Sequence, residues 1–315
     1  MTIRHLKIFI EVARCGKMSK AAANLYISQP TVSQTISELE SHYKVRLFER
    51  FPKSLHITSE GKVLLQYAKQ VIAALDDLEN AMSRSDLNPP VRVGATVTVG
   101  SCVIGDIVSM LEERCPKSDI SVCINNTKTI EEGLLANDLD IALVEGSVQN
   151  QDLISTPVIE DYLVLVCSDK HPFAKLECVS LEELSKEPFI LREEGSGTRS
   201  LFLNSMAAKG YSVREKWTCT NADTIKQAVM QNRGLSVISI RAIEQELKEG
   251  HIHIVPVEDC RWKRSFSLAY HKNKFLSAPL THFIELAKGY SKNDALALLW
   301  EEKPCEDIKI GQGKN

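Results

Sequence analysis

Ser28-Gln29-Pro30-Thr31-Val32-Ser33-Gln34-Thr35-Ile36-Ser37-Glu38-Leu39-Glu40-Ser41 is the stretch on which the fold turns. At 100° per residue, Val32, Ile36, Leu39 and Tyr43 form one apolar stripe, which predicts a helix with that side in a core. Ser28 stands as its N-cap. Pro30 in the first turn forfeits no intrahelical bond, because amides there lack partners anyway. The opposite side presents Pro30, Gln34, Ser37 and Ser41, flanked by Thr31 and Ser33, with no acid before Glu38. A short, uncharged face rich in hydrogen-bonding groups can approach base edges without meeting phosphate repulsion. A merely solvated face would carry Lys and Glu.

Upstream, Leu6, Phe9, Ile10 and Ala13 fall at helical spacing before Gly16, and Ser19 reads as a cap for Lys20-Ala21-Ala22-Ala23-Asn24-Leu25. Two short helices joined by a turn of about three residues follow the helix-turn-helix plan. Downstream, Leu47-Phe48 anchors a core. Glu49-Arg50-Phe51-Pro52-Lys53-Ser54-Leu55-His56-Ile57-Thr58 then reads as two short strands around a turn, a wing whose Arg50, Lys53 and His56 face phosphate or a minor groove. Thr58-Ser59-Glu60-Gly61 opens the next helix with a capping hydroxyl and an early acid.

Charge follows the same division. Residues 1–62 hold ten Lys and Arg against five Asp and Glu, while the rest holds 28 against 36, so a basic head sits on an acidic body and the whole chain has a net charge of −3. That asymmetry is expected when only the head meets a polyanion. The nine cysteines form no Cys-x-x-Cys pair. Most sit in apolar runs such as Ser121-Val122-Cys123-Ile124 and Val164-Leu165-Val166-Cys167, as small buried hydrophobes of a reducing cytoplasm do; a redox-sensing cysteine is the alternative. The start of the chain is helical in pattern and carries Arg4, His5, Lys7 and Glu11, so it is not read as a signal peptide. The apolar uncharged run Val93 to Gly105 is too short to span a bilayer, so a cytoplasmic protein without a membrane partner is expected.

Ser19-Lys20-Ala21-Ala22, Ser28-Gln29-Pro30-Thr31-Val32-Ser33, Val45-Arg46-Leu47-Phe48-Glu49-Arg50 and Thr58-Ser59-Glu60-Gly61 together resemble the DNA-binding domain of the LysR-type transcriptional regulators, nearly unbroken for about sixty residues. Two departures are Lys44, where the family usually has a helix-ending glycine, and Met18, where an aromatic is common. The resemblance implies that Ser28, Gln29, Pro30, Thr31, Ser33, Gln34, Ser37, Arg50, Lys53 and Thr58 meet double-stranded DNA.

From Ser59 to Asp86 the only helix breaker is Gly61, and Leu64, Tyr67, Val71, Ala74, Leu78 and Ala81 recur with alternating spacings of three and four. Such a stripe needs a partner, either the chain's own second domain or a second helix. The resemblance favours the same helix of a second subunit, giving a homodimer, and a homotetramer built from it, that would match an interrupted palindromic operator. Asn88-Pro89-Pro90 ends the helix. The expected domains are a winged helix-turn-helix over 1–58, a linker helix over 59–87, an effector-binding domain over 91–298 and a tail over 299–315.

In the third of these, strand and helix alternate. Val91–Ala95, Ile120–Ile124 and Asp140–Val144 read as strands, with helices over Gly100–Arg114 and Thr129–Ala136 between them. A parallel sheet in an α/β fold follows. A second set begins at Tyr162 and runs through Pro188–Leu191, helices from Thr198 and Thr224, and Leu235–Ile238. The strand Ser265–Tyr270 returns to the first lobe. Two lobes, 91–161 with 266–298 and 162–265, joined by two crossovers, give a periplasmic-binding-protein-like arrangement, which the resemblance also implies.

Ligands of open α/β sheets bind beyond the C-terminal strand ends. Those ends offer Thr96 and Thr98, then Asn126 and Thr127 after Asn125, then Glu145. In the second lobe Gly195, Ser196, Gly197, Thr198 and Arg199 form an amide- and hydroxyl-rich turn suited to a small anion. These pieces resemble the LysR-type branch that regulates sulfur assimilation and carbon fixation, whose effectors are small oxyanions or phosphorylated metabolites. Asn125 stands where that branch often has glycine.

No catalytic constellation emerges. Ser196 has Glu194 and Thr198 where a nucleophile elbow needs glycines. Gly61-Lys62-Val63 lacks the other residues of a phosphate loop, and His251-x-His253 has no further ligands at metal spacing. No cofactor, metal or enzymatic role is expected beyond a small-molecule effector. A metabolite-binding protein without a DNA role and an α/β enzyme are the competing readings.

Overall fold

The computed structural model describes residues 1–51, 54–82, 90–146, 148 and 150–290. Lys53, the Arg50 side chain, the end of the expected linker helix and the expected tail lie outside the described residues. The chain falls into two compact units, one built mainly on Met1–Pro89 and the other mainly on the residues from Pro90 onward.

The first unit opens with helices α1 (Ile3–Cys15), α2 (Met18–Asn24) and α3 (Gln29–Tyr43). Strands β1 (Phe48–Phe51) and β2 (Ser54–Ile57) follow as an antiparallel hairpin, and then the helix α4 (Ser59–Met82). Phe9, Val12, Ala21, Val32, Ile36, Leu39 and Leu47 fill one core, with Ala22 packed close as the small residues of α2 allow. Ser19 is not the cap of α2, which starts two residues earlier than expected, with Lys17 at the N-cap and no side-chain bond. Tyr43 departs from the expected apolar stripe: it is 40% exposed and donates its hydroxyl to Met1 Sδ. α3 ends at Lys44 in the left-handed conformation with φ 56°, so the turn is made without the family's usual glycine. Gly61 is fixed by space, since a Cβ there would stand 2.3 Å from the Leu47 carbonyl oxygen.

α4 serves two directions. Leu64, Leu65, Ala68 and Ile72 pack on the helix-turn-helix core, while Val63, Tyr67, Val71, Leu78 and Met82 are exposed. The expected single seam is therefore split: Leu64 belongs to the head, and the free stripe runs through Tyr67, Val71 and Leu78.

The second unit has two lobes. Its first half runs β3 (Val91–Thr96), α5 (Val97–Cys102), α6 (Ile104–Arg114), β4 (Ile120–Asn125), α7 (Thr127–Leu135) and β5 (Ile141–Glu145). The single helix expected over 100–114 is two, broken at Val103, and it begins at Val97, so Thr98 lies in a first helical turn rather than on a strand. The 16-residue strand β6 (Leu153–Ser168) then crosses to the second lobe, placing the expected boundary at residue 161 in mid-strand.

There stand α8 (Leu181–Lys186), β7 (Pro188–Arg192), α9 (Gly197–Ala208), β8 (Arg214–Cys219), α10 (Ala222–Met230), β9 (Ser236–Ser239), α11 (Glu244–Lys248) and β10 (Ile252–Ile254). β11 (Trp262–His271) returns, and α12 (Ala278–Gly289) closes the first lobe.

β3, β4 and β5 are parallel, whereas β6 and β11 run antiparallel to their neighbours, so the sheet is mixed rather than parallel throughout. Its order is β10-β6-β11-β5-β3-β4, with β9 also paired to β6. Period-two alternation explains β6: Leu163, Leu165 and Cys167 enter one core of the second lobe, and Tyr162, Val164 and Val166 the other. β4 departs from its expected burial, since it is an edge strand with Cys123 exposed, Val122 40% exposed and Ile124 49% exposed. A short apolar run does not distinguish a covered strand from an edge awaiting a partner.

Candidate functional site

On the head, the apolar stripe of α3 goes into the core and its other side is presented outward. Ser28, Gln29, Pro30, Gln34, Ser37 and Ser41 are exposed; Thr31 and Ser33 are half-buried. Ser28 is the N-cap, with Oγ accepting from the Thr31 amide at 3.3 Å and lying 2.8 Å from the Thr31 hydroxyl. The Gln34 amide donates to Glu38 at 2.9 Å, and Glu38 also lies 3.5 Å from His5 Nε2. The only acid on this face is thus held by neighbours. Thr58 differs from its expected DNA contact: its hydroxyl donates to the Arg46 carbonyl at 2.7 Å and accepts from the Gly61 amide at 3.0 Å. It joins the wing to α4 as a cap. At the other end of the wing, exposed Phe51 stacks edge-on with His56, ring centroids 4.9 Å apart.

In the second unit, the expected strand-end residues converge from both lobes. Thr96, Thr98, Ser196 and Thr198 are all buried. Thr96 Oγ1 accepts from the Glu145 amide at 3.1 Å, and Asn126 caps α7 through the Thr129 amide at 3.0 Å. The Gly195 carbonyl accepts from the Lys128 amide at 3.4 Å, tying one lobe to the other. Gly197 is required by proximity: a Cβ there would stand 2.9 Å from the Glu145 carbonyl and 3.1 Å from Thr127 Oγ1.

Both charged residues among the expected effector contacts are engaged within the protein. Arg199 donates two bonds to Glu215, at 2.9 and 2.7 Å, and one to the Arg192 carbonyl at 3.0 Å, so it is turned to β8. Glu145 bridges the lobes. Its Oε1 accepts from the Thr98 amide at 2.9 Å; its Oε2 accepts from the Thr198 hydroxyl at 2.8 Å and from Arg264 Nη1 at 3.0 Å. Burial alone would raise its pKa, but the Arg264 charge and the Thr98 and Thr198 bonds outweigh that and hold it at about 2.

Arg264 escaped the sequence reading. It lies on β11 directly opposite Asp161 of β6, where both strands cross between lobes. Its Nε donates to Asp161 at 2.7 Å, and its Nη1 also reaches the Thr198 hydroxyl at 2.8 Å. Asp161 accepts from Ser239 at 2.7 Å and lies 3.7 Å from Arg241. Burial disfavours the Arg264 charge, but its two carboxylate partners more than offset this, and its pKa is raised. The available signal was Lys263-Arg264 interrupting an apolar strand pattern. What remains open in this cluster is donor capacity: Thr127 Oγ1, Ser196 Oγ and Arg264 Nη2 are buried without a hydrogen-bond partner. Unmade buried hydrogen bonds of this kind call for a ligand or water.

Two of the buried cysteines are poor thiolates. Burial pushes the Cys167 thiol up to about 12 and also raises Cys219, both away from the reactive thiolate. Among the described residues no helix is long and apolar enough to cross a membrane, and no group of three or more His, Cys, Asp or Glu could hold a metal.

Comparison with known proteins agrees with this division. Residues 3–62 match the family described as bacterial regulatory helix-turn-helix protein, lysR family, and residues 84–292 match the LysR substrate binding domain. The chain is 30% identical to the uncharacterized HTH-type transcriptional regulator YeiE of Escherichia coli K12, over 90% of this chain and 96% of that one. It is 29% identical to the HTH-type transcriptional regulator CysL of Bacillus subtilis, over 83% and 88%. Among solved structures, a full-length single-site variant of OxyR from Pseudomonas aeruginosa superposes with TM-score 0.70 at 21% identity, over 91% of this chain and 93% of that one. The regulatory domain of Synechocystis PCC6803 CcmR in complex with 2-PG superposes with TM-score 0.61 at 25% identity, over 65% and 99%.

Proposed function

Because the chain belongs to the LysR family of bacterial transcriptional regulators, we propose that α3 reads base edges in the major groove while the two-lobed unit senses a small anionic metabolite. The protein is a DNA-binding regulator with an effector domain and not an enzyme. Its reading surface consists of Ser28, Gln29, Pro30, Thr31, Ser33, Gln34 and Ser37, with the wing residues Arg50 and Lys53 on phosphate or in the minor groove. The exposed, uncharged polar face of α3 supports this, since such a face discriminates bases rather than merely holding phosphate. Thr58 acts through the cap it makes, fixing the angle of the wing on α4.

Effector binding falls to Thr98, Thr127, Ser196 and Thr198, with Arg264 added; Thr96, Asn126, Glu145 and Arg199, held by bonds within the protein, frame the site, and Gly195 and Gly197 give its turn. The observation that carries this is the set of three buried, unpaired donors at the lobe junction, Thr127, Ser196 and Arg264. The CcmR regulatory domain bound to 2-PG supports a small-molecule effector for this fold. Closure around a ligand would shift the population of lobe arrangements and so the spacing of DNA heads in an oligomer. The exposed stripe of α4 and the apolar edge strand β4 support a homodimer and a homotetramer assembled through two surfaces, reading an interrupted palindrome on cytoplasmic DNA.

A thermal-shift panel of sulfur, nitrogen and phosphorylated anions tests the sensing half. An anion that stabilises the protein should lose that effect in Thr98→Val and Thr198→Val, while unliganded DNA affinity is retained. An undiminished shift in both variants places the ligand elsewhere.

A further inference from the structure

We propose that the effector cleft is built for a singly charged small oxyanion, and that Glu145 sets this limit through its charge rather than through contact. The inference rests on the reading that the effector binds at the lobe junction. Its first support is the inventory of donors. Thr127 Oγ1, Ser196 Oγ and Arg264 Nη2 await partners, and only the last carries charge.

The second support is the local charge balance. Arg264 is shared between Glu145 at 3.0 Å and Asp161 at 2.7 Å. Arg241 lies 3.7 Å from Asp161, Arg192 pairs with Glu193 at 2.8 Å, and Arg199 pairs with Glu215 at 2.7 Å. Each of these arginines thus has a carboxylate within 4 Å, and none brings uncompensated positive charge to the cleft. At the rim, exposed Lys128 and Glu194 flank Thr127 and Gly195 with opposite charges, so a ligand enters an environment rich in neutral hydrogen-bond donors, in which the side chains supply no net attraction for a second negative charge.

The third is the state of Glu145 itself. Its oxygens accept from the Thr98 amide, the Thr198 hydroxyl and Arg264, so three of about four acceptor positions are filled within the protein. With its pKa held at about 2, it stays ionised throughout the physiological range. Its field is a fixed feature of the cleft, little screened because the group is buried.

Coulomb repulsion is linear in ligand charge. Removing the Glu145 charge should therefore multiply the affinity for a dianion by the square of its effect on a monoanion. The test is calorimetric titration of the full-length protein and its Glu145→Gln variant at neutral pH. Nitrate and fluorosulfate serve as singly charged probes, sulfate and thiosulfate as doubly charged ones. Expected is a gain of about tenfold for the first pair and about a hundredfold for the second. Glu145→Asp, which keeps the charge, should change both pairs by equal factors. Should Glu145→Gln fail to fold, the wild-type protein decides, because sulfate and fluorosulfate share a shape. Fluorosulfate should bind at least about tenfold more tightly. Equal gains for both charge classes, or equal wild-type affinity for sulfate and fluorosulfate, overturn this inference alone. Absence of binding by all four probes overturns the anion reading of the cleft with it.

Discussion

Arg264 holds the lobe junction together because a buried guanidinium with two buried carboxylates is stable only as a set. Removing it leaves Glu145 and Asp161 in the interior without their main counter-charge, a loss of about 3–5 kcal/mol. Arg264→Leu should accordingly lower the stability of the effector unit by that amount in a urea titration; an unchanged midpoint would show that the cluster is solvated and energetically idle. At this scale the sequence was partly legible. Thr98 and Thr198 could be placed at the lobe junction because strand ends and glycine-rich turns mark where the lobes of α/β sheets face each other, whatever the rest of the fold does. Arg264 and Asp161 could not be found that way. They meet across 103 positions of sequence, and their role exists only once β6 and β11 lie side by side. Glu145 was legible as a residue of the cleft but not as one already engaged, since nothing local predicts that Thr98, Thr198 and Arg264 would all turn to it. Arg199 was misread for the same reason: Glu215 lies on β8, a strand that the apolar pattern hides behind exposed Arg214, Glu215, Lys216 and Trp217.

At the scale of elements, α3 and α4 were legible to different degrees. α3 carries its cap, its proline and its core stripe within fifteen residues, so local physics alone defines it. If its outer face reads bases, Gln29→Ala or Ser33→Ala should weaken binding to the specific site by about 1–3 kcal/mol and leave random duplex nearly untouched, as fluorescence anisotropy can measure. Equal weakening on both would reduce these residues to phosphate contacts. α4 was read as one seam but carries two, because the same apolar spacing packs one side on the head and leaves Tyr67, Val71 and Leu78 exposed on another. Leu78 is 57% exposed on the free stripe and touches neither core. Leu78→Glu should therefore leave the monomer's stability within about 0.5 kcal/mol and shift sedimentation velocity toward smaller species; unchanged assembly would remove α4 from the interface. β4 shows the opposite failure, an apolar run expected inside and found at an edge, which its composition could not reveal.

For the whole molecule, the charge division was the most legible property and the lobe geometry the least. Counting residues places the excess of cations in the first 62 positions, and no packing is needed to see it. The mixed sheet, by contrast, depends on β6 and β11 running against their neighbours, a consequence of chain return that periodicity does not encode. In the proposed function a cationic head supplies affinity while the neutral face of α3 supplies selectivity. These two contributions respond differently to salt, because phosphate contacts release counterions and base contacts do not. The direct test is an equilibrium titration of the full-length protein on the DNA upstream of its own gene and on a scrambled duplex, at roughly 50 and 200 mM salt. The account predicts that affinity for both falls by roughly a thousandfold or more, while the upstream DNA keeps a preference of about a thousandfold or more at either salt. Equal affinity for the two duplexes, or binding indifferent to salt, would contradict it.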